Sequence, residues 1–245
     1  SLSKQKVNQP KDLMQMANDA DDLGDLFDEG PQDIEPEPEY PIIDWEGIPL
    51  RLLNVHHSLW GDKLWEAGKI MSKIIKERQF GVDLSGKNVV EFGSGAGLSA
   101  ICASITGANH VVATDYPDKN LLDNLEFNCS KYPNITVVGH QWGRDVAPVS
   151  AANQNEKFDV AILADLVFNH VCHKDLLKSL VNLLKPENSY ALVTYTHHRT
   201  HLIKEDLNFF RLAKRKYGLV VEELGTMKHP PMFKDDLGPL EIRTT

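Results

Sequence analysis

Three carboxylates and a cluster of glycines carry the chemistry that this sequence offers. Glu91, Asp115 and Asp165 each close a short apolar run: KNVVEF (87–92), VVATD (111–115) and AILAD (161–165). The first run leads into Gly93, Ser94, Gly95 and Gly97, a loop whose glycines let a ligand approach the backbone closely. Asp115 follows about 20 residues later, where a carboxylate can take both hydroxyls of a ribose, and Tyr116 beside it can cover an adenine. The structural alternative for Asp115 is a helix N-cap. The spacing is G-x-G-x-G, with Leu98 where the third glycine of the dinucleotide fingerprint belongs. Glu91, two positions before the loop, would be badly placed beside a pyrophosphate. It suits a cationic ligand, acting directly or through hydrogen bonds to the loop. S-adenosylmethionine carries a sulfonium and an ammonium and no phosphate, so the pattern leans toward it. A dinucleotide, or a tight turn with no ligand, remains the alternative.

Strands and helices must alternate to position these groups. Strands are expected near 87–92, 110–114, 134–139, 158–164, 189–195 and 218–224, and helices near 97–106, 118–130, 171–184 and 201–217. A preceding helix is expected over 61–80, where Leu64, Trp65, Gly68, Met71, Ile74 and Ile75 follow helical spacing. Strands separated by single helices pair in parallel with right-handed crossovers, which makes an α/β, doubly wound, mostly parallel sheet of Rossmann-like type. Such sheets bind ligands at the carboxyl ends of their strands. There the sequence places Trp142 in HQWG (140–143), a candidate adenine wall or else a core tryptophan. It also places Phe168, Asn169 and His170, just after Asp165, at the rim. His170 and His173, and His197 and His201, could each share a helical face. No carboxylate or cysteine beside them completes a recognisable set, and no metal site is expected. No G-x-S-x-G elbow or Cys/His arrangement points to covalent hydrolysis.

Composition narrows the partners. Of the net charge of −9, residues 1–40 hold eleven Asp/Glu and three Lys, or −8; the remainder is close to neutral. No basic face is available for nucleic-acid phosphates, and Lys214-Arg215-Lys216 reads as the solvated end of a helix. Residues 1–40 are acidic and proline-bearing and are expected to be a mostly disordered tail ahead of one domain over 41–245. Three scattered cysteines form no disulfide framework, so a reduced, cytoplasmic setting is the default. No apolar run reaches the length of a membrane span. A monomer is expected.

Taken in order, EFGSGAG, TDYPD, QWG and ADLVFNH resemble the seven-stranded S-adenosylmethionine-dependent methyltransferases, in their lysine methyltransferase-like branch. HSLWGDKLWEAGKIM (57–71) and LFDEGPQDIEPEPEYP (26–41) are similar to fungal members once called nicotinamide N-methyltransferases. Those are now assigned as N-terminal and lysine methyltransferases of translation elongation factor 1-alpha. The resemblance spans about residues 23–243. It implies S-adenosylmethionine as cofactor, held by Trp65 (with Trp60 as a second candidate), Gly93 to Gly95, Asp115, Trp142 and Ala164, and the elongation factor as protein partner. Many relatives have Asp-x-x-Tyr after the fourth strand; here it is Asp165-x-x-Phe168, so no tyrosine hydroxyl is available. The family's last strand is expected to be cut short. In this reading Asp165 and Asn169 orient the amine, Phe168 holds methylated ammonium by cation–π attraction, and His170 is a candidate proton acceptor. Competing readings are a small-molecule methyltransferase acting on nicotinamide, a non-catalytic cofactor-binding protein and, last, an NAD-dependent oxidoreductase.

Overall fold

A computed structural model describes residues 39–57, 61–229 and 243–244. The acidic tail through Pro38, Trp60 and most of the last strand expected for the family lie outside the described residues.

Five runs rich in Val, Ile and Ala form the central sheet, as β-branched residues on a surface buried from both sides should. The chain first makes a hairpin, β1 (Ile42–Trp45) and β2 (Ile48–Arg51), then α1 (Glu66–Lys76). There follow β3 (Asn88–Phe92), α2 (Leu98–Ile105), β4 (His110–Asp115), α3 (Lys119–Cys129), β5 (Ile135–Gly139) and α4 (Ala147–Ala152). Then come β6 (Val160–Ala164), α5 (His173–Leu183), β7 (Tyr190–Thr194), α6 (Ile203–Asp206) and α7 (Asn208–Tyr217). A two-residue ladder of β8 (Lys228–His229) and β9 (Arg243–Thr244) ends the described chain. The sheet order is β5-β4-β3-β6-β7, all parallel. The order reverses between β3 and β6, so the glycine loop after β3 and Asp165 after β6 stand on either side of the switch point, where such sheets bind ligands.

The period-2 alternation of the strands sorts the core into two layers. Val89, Val111, Ala113, Val160 and Ile162 pack with α1 and α2 on one face. Val90, Phe92, Val112, Ala161 and Leu163 pack with α5 and α7 on the other. That is the doubly wound arrangement expected from the sequence.

Three differences from the sequence reading have local causes. The helix expected over 61–80 starts at Glu66, because Trp65 is extended (φ −72, ψ 145) and serves as its N-cap. Residues 218–224 keep strand alternation, with Leu219 and Val221 packed on the core and Val220 96% exposed. No strand among the described residues pairs with them, so they form no ladder. The hairpin and α4 were not foreseen at all. The hairpin's sequence signal is Glu46-Gly47 between two apolar runs: φ is +48 and +85, the two-residue turn that matches strand twist.

That hairpin is bolted to the glycine-loop side of the sheet. The Arg51 guanidinium lies 3.8 Å over the Phe127 ring and donates to Asn124 Oδ1 at 2.9 Å. Asn128 Nδ2 donates both to the Arg51 carbonyl (2.9 Å) and to the Ala96 carbonyl in the glycine loop (3.0 Å). The Lys214–Lys216 cluster occupies the last turn of α7, where cations favour the helix dipole.

Candidate active site

The loop after β3 is held from beneath. Gly97 caps α2 in the left-handed region (φ +84) and has no side chain with which to satisfy the helix's first N–H groups. Glu91, at the buried end of β3, supplies the missing acceptor: its Oε2 takes a hydrogen bond from Ala100 N at 3.0 Å. Burial pushes the Glu91 carboxyl up to about 8, with nearby Ser94, Ser99 and the Ala100 amide only partly offsetting it. Glu91 therefore acts on the loop through hydrogen bonds, from a position 2% exposed.

Asp115 ties the loop from the side. Its Oδ2 accepts from Gly95 N and its Oδ1 from Tyr116 N, both at 2.7 Å. Burial raises its pKa, against the pull of these two amides. Asp115 is not the helix cap: Asp118 caps α3, accepting from Asn120 N and Leu121 N. Tyr116 is 44% exposed beside this site. Trp142, in the loop after β5, is half-buried against the second core layer. A methyl placed on Gly93 would come within 2.6 Å of the Leu166 side chain, while Trp142 at 3.6 Å would be in ordinary contact with it. Ala164 closes β6 and pairs with Thr194 of β7.

Across the switch point stands a second cluster. Asp165 is buried, with a left-handed backbone (φ +60) that is uncommon for a non-glycine residue and costs energy. Both its carboxylate oxygens lie 3.0 Å from His198 Nε2, and Thr196 N donates to Oδ1 at 3.2 Å. Trp65 stacks on Phe168 at 6.0 Å, while His198 meets Trp65 at 5.1 Å and Phe168 at 5.8 Å, edge to face. Trp65, expected at the cofactor, is part of an aromatic triangle that His198 joins to Asp165. His198 was missed by the sequence reading, which singled out only its neighbour His197. The available signal was a histidine pair just beyond the carboxyl end of a parallel strand.

His170 is drawn elsewhere. Its Nε2 lies 2.5 Å from Asp206 Oδ1, and His197 Nδ1 lies 2.6 Å from Asp206 Oδ2. An open depression beside it is lined by Lys204, Glu205, Asn208 and Arg211. Asn169 begins the short turn leading to His170, and its carbonyl accepts from Cys172 N at 3.1 Å. His173 is buried, with Nε2 2.6 Å from the Val167 carbonyl, and burial lowers its pKa. Among the described residues no three His, Cys, Asp or Glu side chains converge as a metal site.

A glycine loop after the first strand of the sheet, an acidic residue after the next and a third carboxylate across the switch point define the architecture of S-adenosylmethionine-dependent methyltransferases. The family model described as lysine methyltransferase matches residues 46–216, and the chain belongs to that family. Among curated proteins it is 41% identical to "Protein N-terminal and lysine N-methyltransferase efm7" of Schizosaccharomyces pombe, over 82% of this chain and 80% of that protein. It is 36% identical to the Candida glabrata protein named EFM7, over 93% and 96%. Among solved structures, SMU.776, assigned as a methyltransferase and complexed with SAH, aligns with a TM-score of 0.56 at 14% identity. That alignment covers 86% of this chain and 56% of the other, so the chain spans just over half its length. The chain is an S-adenosylmethionine-dependent methyltransferase.

The residues present fit that cofactor. A Cβ on Gly95 would meet nothing within 4 Å, so the loop leaves open space on that side. Ser94 Oγ is buried without a hydrogen bond of good geometry among the described residues. Each Asp115 oxygen accepts one backbone N–H and keeps lone pairs for a further donor.

Proposed function

We propose that this chain methylates the N-terminal amine and a nearby lysine of a protein, and that the protein is translation elongation factor 1-alpha. Support for the amine and protein classes comes from the curated relatives, named as protein N-terminal and lysine N-methyltransferases at 34–41% identity. The observation that carries the reading is the triangle of Trp65, Phe168 and His198, joined through His198 to buried Asp165 just after β6. An ammonium carries charge and apolar methylenes, and a carboxylate walled by aromatic rings suits both parts.

In this reading Gly93, Ser94, Gly95, Gly97, Asp115, Tyr116, Trp142 and Ala164 hold the cofactor, with Glu91 fixing the loop and Trp65 between the two halves. The bound cofactor supplies an electrophilic methyl group on a sulfonium. Asp165, through the His198 ring it holds, orients the incoming amine together with Phe168 and Asn169. An amine attacks only as the neutral base, and an α-amino group (pKa about 7.7–8.0) is more readily neutral than lysine (about 10.4). Alignment and exclusion of water are the protein's main contribution. The enzyme works as a monomer in the cytoplasm; three free thiols suit a reducing compartment.

The test is incubation with labelled S-adenosylmethionine and unmodified elongation factor 1-alpha, and separately with nicotinamide, followed by peptide mass spectrometry. Methyl groups at the factor's N-terminal region are expected. Label on nicotinamide with none on the factor would overturn the protein-substrate assignment.

A further inference from the structure

We infer that His198 is the proton acceptor for the substrate ammonium, set in place by Asp165 and, through the neighbouring His197, by Asp206. The inference rests on the methyltransferase reading above and deepens it.

Two adjacent histidines leave the end of β7, and each is gripped by a different carboxylate buried to within 3% exposure. Asp165 takes His198 Nε2 symmetrically, at 3.0 Å to both oxygens. Facing a carboxylate, Nε2 carries the proton and Nδ1 presents its lone pair. No hydrogen-bond partner for Nδ1 is found among the described residues, and the side chain is 17% exposed. The ring meets Trp65 and Phe168, the two aromatic residues of the proposed amine site, edge to face. Asp206 holds His197 at 2.6 Å and His170 at 2.5 Å, which ties the strand exit to the segment after β6. An imidazole oriented by a buried carboxylate beside a reacting group is the arrangement of general-base catalysis.

The step balances as follows. The substrate ammonium gives a proton to Nδ1 of His198. The lone pair released on nitrogen forms the N–C bond to the methyl carbon. The C–S bond breaks with its electron pair left on sulfur, so the sulfonium becomes a thioether and the positive charge moves to the methylated amine. The imidazolium returns its proton to water. His170, the candidate from sequence, is committed to Asp206. Among the described residues, the charged and titratable groups on His198 or on its neighbours include Asp165, the Asp206–His197–His170 set, His229 (whose Nε2 lies 3.3 Å from Thr196 Oγ1) and, at the start of α1 beside Trp65, Glu66 with Lys69.

The experiment measures kcat and KM against pH for wild type, His198→Asn and His198→Ala, with unmodified elongation factor 1-alpha as substrate. Binding of S-adenosylhomocysteine by calorimetry reports on folding and the cofactor site. The expected result is a kcat reduced about 100-fold in His198→Asn, with KM and cofactor binding nearly unchanged. The acid limb of the wild-type kcat/KM profile disappears, and added imidazole restores part of the activity of His198→Ala. A His198→Asn enzyme that keeps the wild-type kcat and the same acid limb overturns the inference alone. Wild-type enzyme that binds the cofactor product yet methylates no protein amine overturns the inference together with the function it rests on.

Discussion

The two ends of the site are built by different means. At the glycine loop, carboxylates from strand ends accept backbone N–H bonds over short stretches of chain: Glu91 from Ala100, Asp115 from Gly95 and Tyr116. At the acceptor end, side chains hold other side chains across more than thirty residues, with Asp165 on His198 and Asp206 on His170. Backbone amides present the same groups whatever the sequence, so the first end depends on a few carboxylates and on glycines. The second depends on packing, since each ring is placed by neighbours that are themselves placed by the fold.

The comparison can be broken most sharply at Asp115. Asp115→Ala removes the acceptor for two backbone amides and the candidate ribose ligand together. Affinity for S-adenosylhomocysteine should fall about 100-fold or more, read by calorimetry; an unchanged affinity would remove Asp115 from the cofactor site. On the other side, Asp206→Asn releases the grip on His170 and His197. It should lower kcat about tenfold through misplacement of the strand exit while leaving cofactor affinity as it was. A matching loss of cofactor affinity would show that the two ends are not separable.

The glycines sharpen the contrast within the loop. Gly95→Ala introduces a methyl into open space, so beyond about 1–2 kcal/mol of left-handed backbone strain its cost should appear in cofactor binding. Gly97→Ala drives a methyl to 2.7 Å from Leu125 Cδ1 and 3.1 Å from Cys129 Sγ. Its cost, roughly 2–4 kcal/mol, should appear as a lower melting temperature without cofactor. Equal melting temperatures for the two variants would contradict this division.

A further effect, one that depends on pH, concerns Glu91. Its folded pKa of about 8 lies above its ordinary 4.5, so the folded protein holds a proton that the unfolded chain has released between those values. The stability from the neutral buried carboxyl is fully present below about 4.5 and is lost as pH rises through 8. Denaturant titrations at pH 5 and pH 8.5 should show wild type losing stability relative to Glu91→Gln; a difference independent of pH would refute it.

Much of the glycine-loop end was legible because its signals are local. Apolar runs ended by Glu91, Asp115 and Asp165 marked three strands, and glycine spacing marked the turn between β3 and α2. The acceptor end was half legible. Asp165 and Phe168 stood out on one short segment, but His198 did not, because nothing nearby in sequence indicates that a residue 33 positions later faces Asp165. The same limit explains His170: it sits at the expected rim, yet Asp206 on α6 captures it. The strand expected at 218–224 has the right alternation and, among the described residues, no partner strand, since pairing is a property of two segments.

By itself, then, the sequence determined the five strands of the central sheet and most of the helices between them, the two-sided burial of the sheet and the residues of the loop after β3. Periodicity and backbone conformation are properties of short stretches, and they survive without knowledge of the rest. Only the tertiary structure decided which histidine meets which carboxylate, that Trp65 stacks on Phe168, and that the hairpin reaches the glycine loop through Asn128. Those contacts join residues distant in sequence, and only the packed sheet and its helices bring them within hydrogen-bonding distance.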